Sequence, residues 1–161
     1  TVEGRYLPGE LHVLTTRSGM GPGYRVVAPF ETGTGRRILV DRGFIPERLK
    51  AAPRPPAPAR ITGNLHWPDD FDETFTPEPD RTRNIWFSRG VVPMAAALGS
   101  EPVLLVLRQT SRPDPPVMPW PVDTSGIRND HLQYAVTWFS LAVIWAGMTG
   151  WLLWRIRRRT L

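Results

Sequence analysis

The sequence predicts a mainly β domain, an antiparallel sheet or barrel-like closure with one short helix, followed by a C-terminal transmembrane α-helix. Three observations carry that expectation. Apolar and polar residues alternate in short runs over the first two thirds of the chain, residues 132–154 carry no formal charge, and four arginines follow directly. Leu11–Thr16, Tyr24–Phe30, Arg37–Phe44, Ile61–Leu65 and Val103–Gln109 read as strands, rich in Val, Ile, Leu and aromatics. The chain opens at Thr1-Val2-Glu3-Gly4 in strand-like sequence. Glu31 to Arg36 carries Gly33 and Gly35 and predicts a hairpin joining the second and third runs. Val92–Leu98 alone reads as helical, with Gly99 as its C-cap. Pro53–Pro58 is expected to be a solvated polyproline stretch, and Arg112–Pro121, with five prolines, a stiff arm leading toward the span.

Leu132 to Trp154 gives 23 uncharged residues, which as a helix extend roughly 34 Å and cover a hydrocarbon core of about 30 Å. A core helix of a soluble protein would rarely be apolar all round for that length. Trp151 and Trp154 fall near one end, and Trp120, Tyr134 and Trp138 near the other, as interfacial aromatic belts do. The positive-inside rule places the arginine end in the cytoplasm and the preceding domain in the periplasm or intermembrane space. The expected division is 1–127 for the β-rich domain, 128–155 for the membrane helix and 156–161 for a basic tail. A translocated domain needs an upstream signal or membrane helix, so such a segment is expected to precede Thr1.

The chain has 161 residues, 20 Lys+Arg against 15 Asp+Glu, and a pI near 10.6. Four of the basic residues lie in the last seven positions, which leaves 16 against 15 for the rest and no basic patch for nucleic acid. The absence of Cys excludes disulfides, thiolate metal sites and covalent c-type haem attachment. Nineteen of the 20 basic residues are Arg, a bias that fits a GC-rich bacterial genome.

Little in the chain reads as catalytic. Asp69, Asp70, Asp72 and Glu73 form an acidic cluster without the spacing or turn glycine of a calcium loop, and read as a solvated loop. Asp41-Arg42-Gly43 could set a carboxylate beside a guanidinium, or form a strand-end ion pair. His12 and His66 lack companion ligands at metal-binding spacing, and there is no nucleophile motif or phosphate loop. The chain is therefore not expected to be an enzyme. His131, one residue before the uncharged span, is different. At helical spacing Tyr134, Ala135, Trp138, Ala142 and Trp145 share its face, which gives an imidazole above small residues between aromatic walls. An imidazole is a standard axial ligand of haem iron. Two readings stand side by side, an iron ligand and a polar residue that anchors the helix.

Gly23-Tyr24-Arg25-Val26-Val27-Ala28-Pro29-Phe30 followed by Leu39-Val40-Asp41-Arg42-Gly43-Phe44-Ile45-Pro46 resembles the Surfeit-locus family of cytochrome c oxidase assembly factors. Asn84-Ile85-Trp86-Phe87 with Met94-Ala95-Ala96 is similar to that family's middle motif, and Asn129 to Phe139 to its C-terminal signature. The resemblance implies two membrane helices bracketing an outer domain and a role in maturing subunit I of a haem–copper oxidase. It implies haem a as a transiently bound cofactor, with subunit I, haem a synthase and membrane lipid as partners. His131 then becomes the axial-ligand candidate, with Trp138 and Tyr134 beside the ring. The runner-up is a scaffold that stabilises an oxidase intermediate without touching haem. Gly90 is a departure, since family members often carry Asp there.

Overall fold

In the computed structural model, residues 1–68, 71–72, 74–122 and 130–159 are described. The chain divides into two units, Thr1–Val122 and Asp123–Leu161. The boundary expected at 127/128 and the cluster members Asp69, Asp70 and Glu73 lie outside the described residues.

The first unit contains β1 (Val2–Tyr6), β2 (Leu11–Arg17), β3 (Gly21–Thr32), β4 (Arg37–Pro46), β5 (Pro58–Leu65), α1 (Val91–Leu98) and β6 (Leu104–Thr110). The strands run in the order β1-β5-β6-β4-β3-β2, and β1 also pairs with β3. That extra pairing closes β1, β5, β6, β4 and β3 into a five-stranded barrel, with β2 appended to β3. Closure removes the exposed edges that an open sheet would offer. The expected hairpin is present: β3 and β4 pair antiparallel, with Tyr24 opposite Ile45 and Phe30 opposite Ile38. Among the described strands all pairs are antiparallel but one, β4 with β6, which run parallel because β5 and α1 intervene between them.

The two faces of the barrel wall bury different sets of side chains. Inside, Tyr6, Phe30, Val40, Ile61 and Leu107 come one from each barrel strand. Outside, Val27, Leu39 and Leu104 pack with Leu11 and Val13 of β2 beneath Met94 and Ala95 of α1 and Trp86. Burying a Leu- or Phe-sized side chain contributes about 1.5–3 kcal/mol, so these two clusters hold the unit together. α1 ends at Gly99, whose φ of 59° is the left-handed conformation of a C-cap. Gly90 occupies the N-cap of α1, where an Asp would accept a helix N–H through its side chain; Gly cannot.

All four prolines of Pro53–Pro58 are exposed, as expected of a solvated tract, while the two residues between them are anchored. The Arg54 side chain is 2% exposed and pairs with Glu10, Ala57 is buried, and the Ala57 carbonyl accepts the Tyr6 N–H at 3.0 Å. The stretch is a solvent-facing connection into β5, pinned through Arg54 and Ala57. The proline arm is fastened to the barrel wall: Met118 exchanges two backbone bonds with Phe44, at 2.8 and 2.9 Å.

The second unit is α2 (His131–Arg159), 29 residues that continue through the arginines to Arg159. It is long and apolar enough to cross a membrane.

Candidate functional site

α2 begins at His131, and the Asp130 carbonyl accepts the Tyr134 N–H at 3.0 Å, so Asp130 stands at the helix N-cap. The Thr137 hydroxyl donates to the Gln133 carbonyl at 2.9 Å and Ser140 to Val136 at 2.7 Å. Satisfying both hydroxyls within the helix leaves an apolar surface suited to hydrocarbon. With 100° per residue, His131, Tyr134 and Trp138 fall on one face, Trp138 about 10 Å along the axis from His131. Tyr134 is 66% and Trp138 68% exposed. The structure therefore brings the three sequence candidates onto a single open face.

That face fits a haem on one side. It offers an imidazole at its end, flat aromatic surfaces beside it, and Ala135 and Ala142 where a bulky side chain would block a macrocycle. No cluster of three or more metal-ligating His, Cys, Asp or Glu occurs among the described residues.

The charged residues singled out in the first unit have structural partners. Asp41 and Arg42 do not pair with each other. Asp41 is fully buried and accepts Arg25 Nη1 at 2.5 Å and the Gly43 N–H at 3.1 Å. Burial pushes its carboxyl up, and Arg25, Arg89 and the Gly43 N–H pull against that. Arg25 lies 4.2 Å over the Trp120 ring and Arg17 5.4 Å from the same ring, so two guanidinium groups contact one indole. Arg42 is the extra residue of a β-bulge, because Val26 opposes Gly43 and Val27 opposes Asp41. Such bulges re-aim a side chain. Here Arg42 pairs with Asp114 of the proline arm and lies 4.4 Å over the Tyr6 ring. Gly43 follows with φ 121°, and a Cβ on it would meet the Met118 carbonyl oxygen at 2.1 Å.

A second buried network was missed by sequence reasoning. His12 Nε2 lies 2.9 Å from Glu10 Oε1, and Arg54 Nε donates to Glu10 Oε2 at 2.9 Å. Asn84 Nδ2 donates to the Glu10 carbonyl at 2.8 Å and adopts φ 51°. Burial opposes ionisation of Glu10, but the His12 hydrogen bond and the Arg54 guanidinium outweigh it and hold the carboxyl down at about 2. The signal available was a polar residue inside an apolar strand, at His12 and at Asp41-Arg42. Asp72, the described member of the acidic cluster, accepts the Thr74 N–H at 2.7 Å, as loop-forming aspartates do. His66 lies beyond β5 and donates its backbone N–H to the Leu104 carbonyl.

The motif residues thus build two things, a barrel with buried ion pairs and an aromatic helix face headed by a histidine. A family model described as the SURF1 family matches residues 1–143. The chain belongs to the SURF1 family. It is 35% identical over 127 residues to Surfeit locus protein 1 of Homo sapiens, covering 74% of this chain and 41% of that protein. It is 32% identical over 126 residues to Surfeit locus protein 1 of Xenopus tropicalis, covering 74% and 40%. A SURF1-like protein of Rickettsia bellii is 29% identical over 151 residues, covering 88% and 62%. The chain spans less than two thirds of the length of these curated relatives. No solved structure matches it.

Proposed function

We propose that this SURF1-family chain is an assembly factor for haem–copper cytochrome c oxidase that binds haem a at His131 and assists its insertion into subunit I. The observation that carries the reading is the position of His131, at the head of an exposed aromatic face on an apolar helix. When bound, haem a would supply an iron that an imidazole can coordinate. His131 would hold that iron, Trp138 and Tyr134 would pack against the ring, and Ala135 and Ala142 would leave room for it.

In this reading the protein sits in a bacterial inner membrane, with the β barrel periplasmic and the arginine end of α2 cytoplasmic. Its partners are oxidase subunit I, haem a synthase and lipid, with no role for nucleic acid. It holds and passes on a cofactor without transforming a substrate, so it is not an enzyme. The competing reading is a scaffold that stabilises an oxidase intermediate without haem. What favours it is that a single histidine provides one axial ligand.

Purification from cells that make haem a separates the two. The first reading expects haem a to co-purify, and Trp138→Ala to weaken retention while leaving iron coordination unchanged. Protein that carries no haem a from such cells would favour the scaffold.

A further inference from the structure

The mouth of the barrel holds a cavity of about 510 Å³ that the proposed haem site does not use. Its walls are the inner-cluster residues Tyr6 and Leu107 on one side and the proline arm, with Pro116, Val117 and Met118, on the other. Proline has no backbone N–H, so this arm presents apolar surface with few donors, and the volume lies in the range of small-molecule sites. Two arginines line it among the described residues, and of these Arg112 is exposed and Arg42 buried. Arg42 lines the cavity, and its side chain is 5% exposed. A buried guanidinium needs an anionic partner, and its planar fork matches a carboxylate. At present that partner is Asp114, which belongs to the arm and also lines the cavity. The arm is fastened to the barrel at Met118. Asp114 lies between that fastening and the bond from the Ser111 N–H to the Arg60 carbonyl at the end of β6, and its own carbonyl accepts the Val117 N–H within the arm.

We propose that this mouth is a binding site for a fatty acid, whose carboxylate replaces Asp114 on Arg42 and whose chain occupies the apolar cavity under the proline arm. Asp114 acts as an internal stand-in for the ligand's head group. The single buried cation calls for one carboxylate, and the apolar walls call for a hydrocarbon body. Exchanging one carboxylate for another leaves Arg42 paired throughout, so the site opens without stranding a buried charge. The site is independent of His131.

The distinguishing test exploits the two ends of the ion pair. The whole chain, in lipid nanodiscs, is titrated with decanoate carrying a ¹³C label at the carboxyl carbon. The expected result is a bound carboxylate resonance separate from that of the lipid-dissolved pool. Arg42→Met should abolish it. Asp114→Asn should strengthen binding on the order of tenfold, because it removes the internal competitor. The methyl ester of decanoate should not compete, and His131→Ala should leave the resonance in place. An ion pair that is only structural predicts the reverse for Asp114→Asn, a loss or no gain of binding. That result would overturn the proposal even if Arg42→Met fails to fold. Absence of a bound resonance in the unaltered protein, equal competition by the ester, or displacement of decanoate by a metal-free dicarboxylic porphyrin but not by longer fatty acids would each overturn it too.

Discussion

Replacing Glu10 with Gln should make the barrel less stable at neutral pH and remove part of its sensitivity to acid. Glu10 is held at about 2 against an ordinary value of 4.5. That difference between folded and unfolded chain corresponds to about 3 kcal/mol of stability at pH 7. The side chain is 22% exposed, so solvent screening takes only a modest part of it. The sign follows from the depressed value. The contribution is complete above about pH 4.5, falls to about half near pH 3, and is lost toward pH 2 as the folded carboxylate takes up its proton. Glu10→Gln keeps a carbonyl acceptor for Arg54 but has no charge at any pH. At about 4 °C per kcal/mol for a unit of this size, the variant should melt about 12 °C below the unaltered protein at pH 7. Near-UV circular dichroism, which reports on packed residues such as Tyr24 and Trp86, follows the transition. The gap between the two proteins should narrow steadily as pH falls from 4.5 toward 2. The other carboxylates are common to both proteins and cancel in the difference. A gap that stays constant over that range would refute the argument that the His12–Glu10–Arg54 network supplies this stability through charge.

Asp41→Asn should cost about 3 kcal/mol because it leaves Arg25 buried without its anion, while the double variant with Arg25→Met should recover much of that loss, as urea unfolding of both proteins would show. A single variant as stable as the parent would mean that Arg25 is adequately served by Trp120 alone. For the orientation of α2, a reporter fused after Leu161 should be active only in the cytoplasm; activity on the far side would reverse the proposed topology and move His131 with it.

The hairpin of β3 and β4 was legible because alternation and a glycine-bearing loop are both local signals. Barrel-like closure was expected from the spacing of the strands, but which strands close it was not legible, since pairing β1 with β3 and β4 with β6 joins segments far apart in the chain. The charged pair Asp41-Arg42 was visible as an anomaly in an apolar strand, but its geometry was hidden. A one-residue bulge sends Arg42 toward Asp114 while Asp41 meets Arg25, and no spacing rule places a bulge. The role of Arg54 was hidden for a similar reason: the prolines around it do face solvent, and only the fold supplies Glu10 as its partner. His131 and its aromatic face were legible because a long helix imposes its period on every residue it contains. The cavity at the barrel mouth was not, because its two walls come from strands and from an arm with no repeating pattern.

The central claim is that the His131 imidazole is an axial ligand of haem a, and ligand replacement tests it most directly. His131→Ala is purified alongside the unaltered protein from cells that make haem a, and absorption spectra are taken before and after adding free imidazole. The account predicts that the variant loses or shifts the haem a bands while still inserting in the membrane, and that free imidazole restores them by occupying the space left by the side chain. Haem a bands in His131→Ala identical to those of the unaltered protein would contradict it.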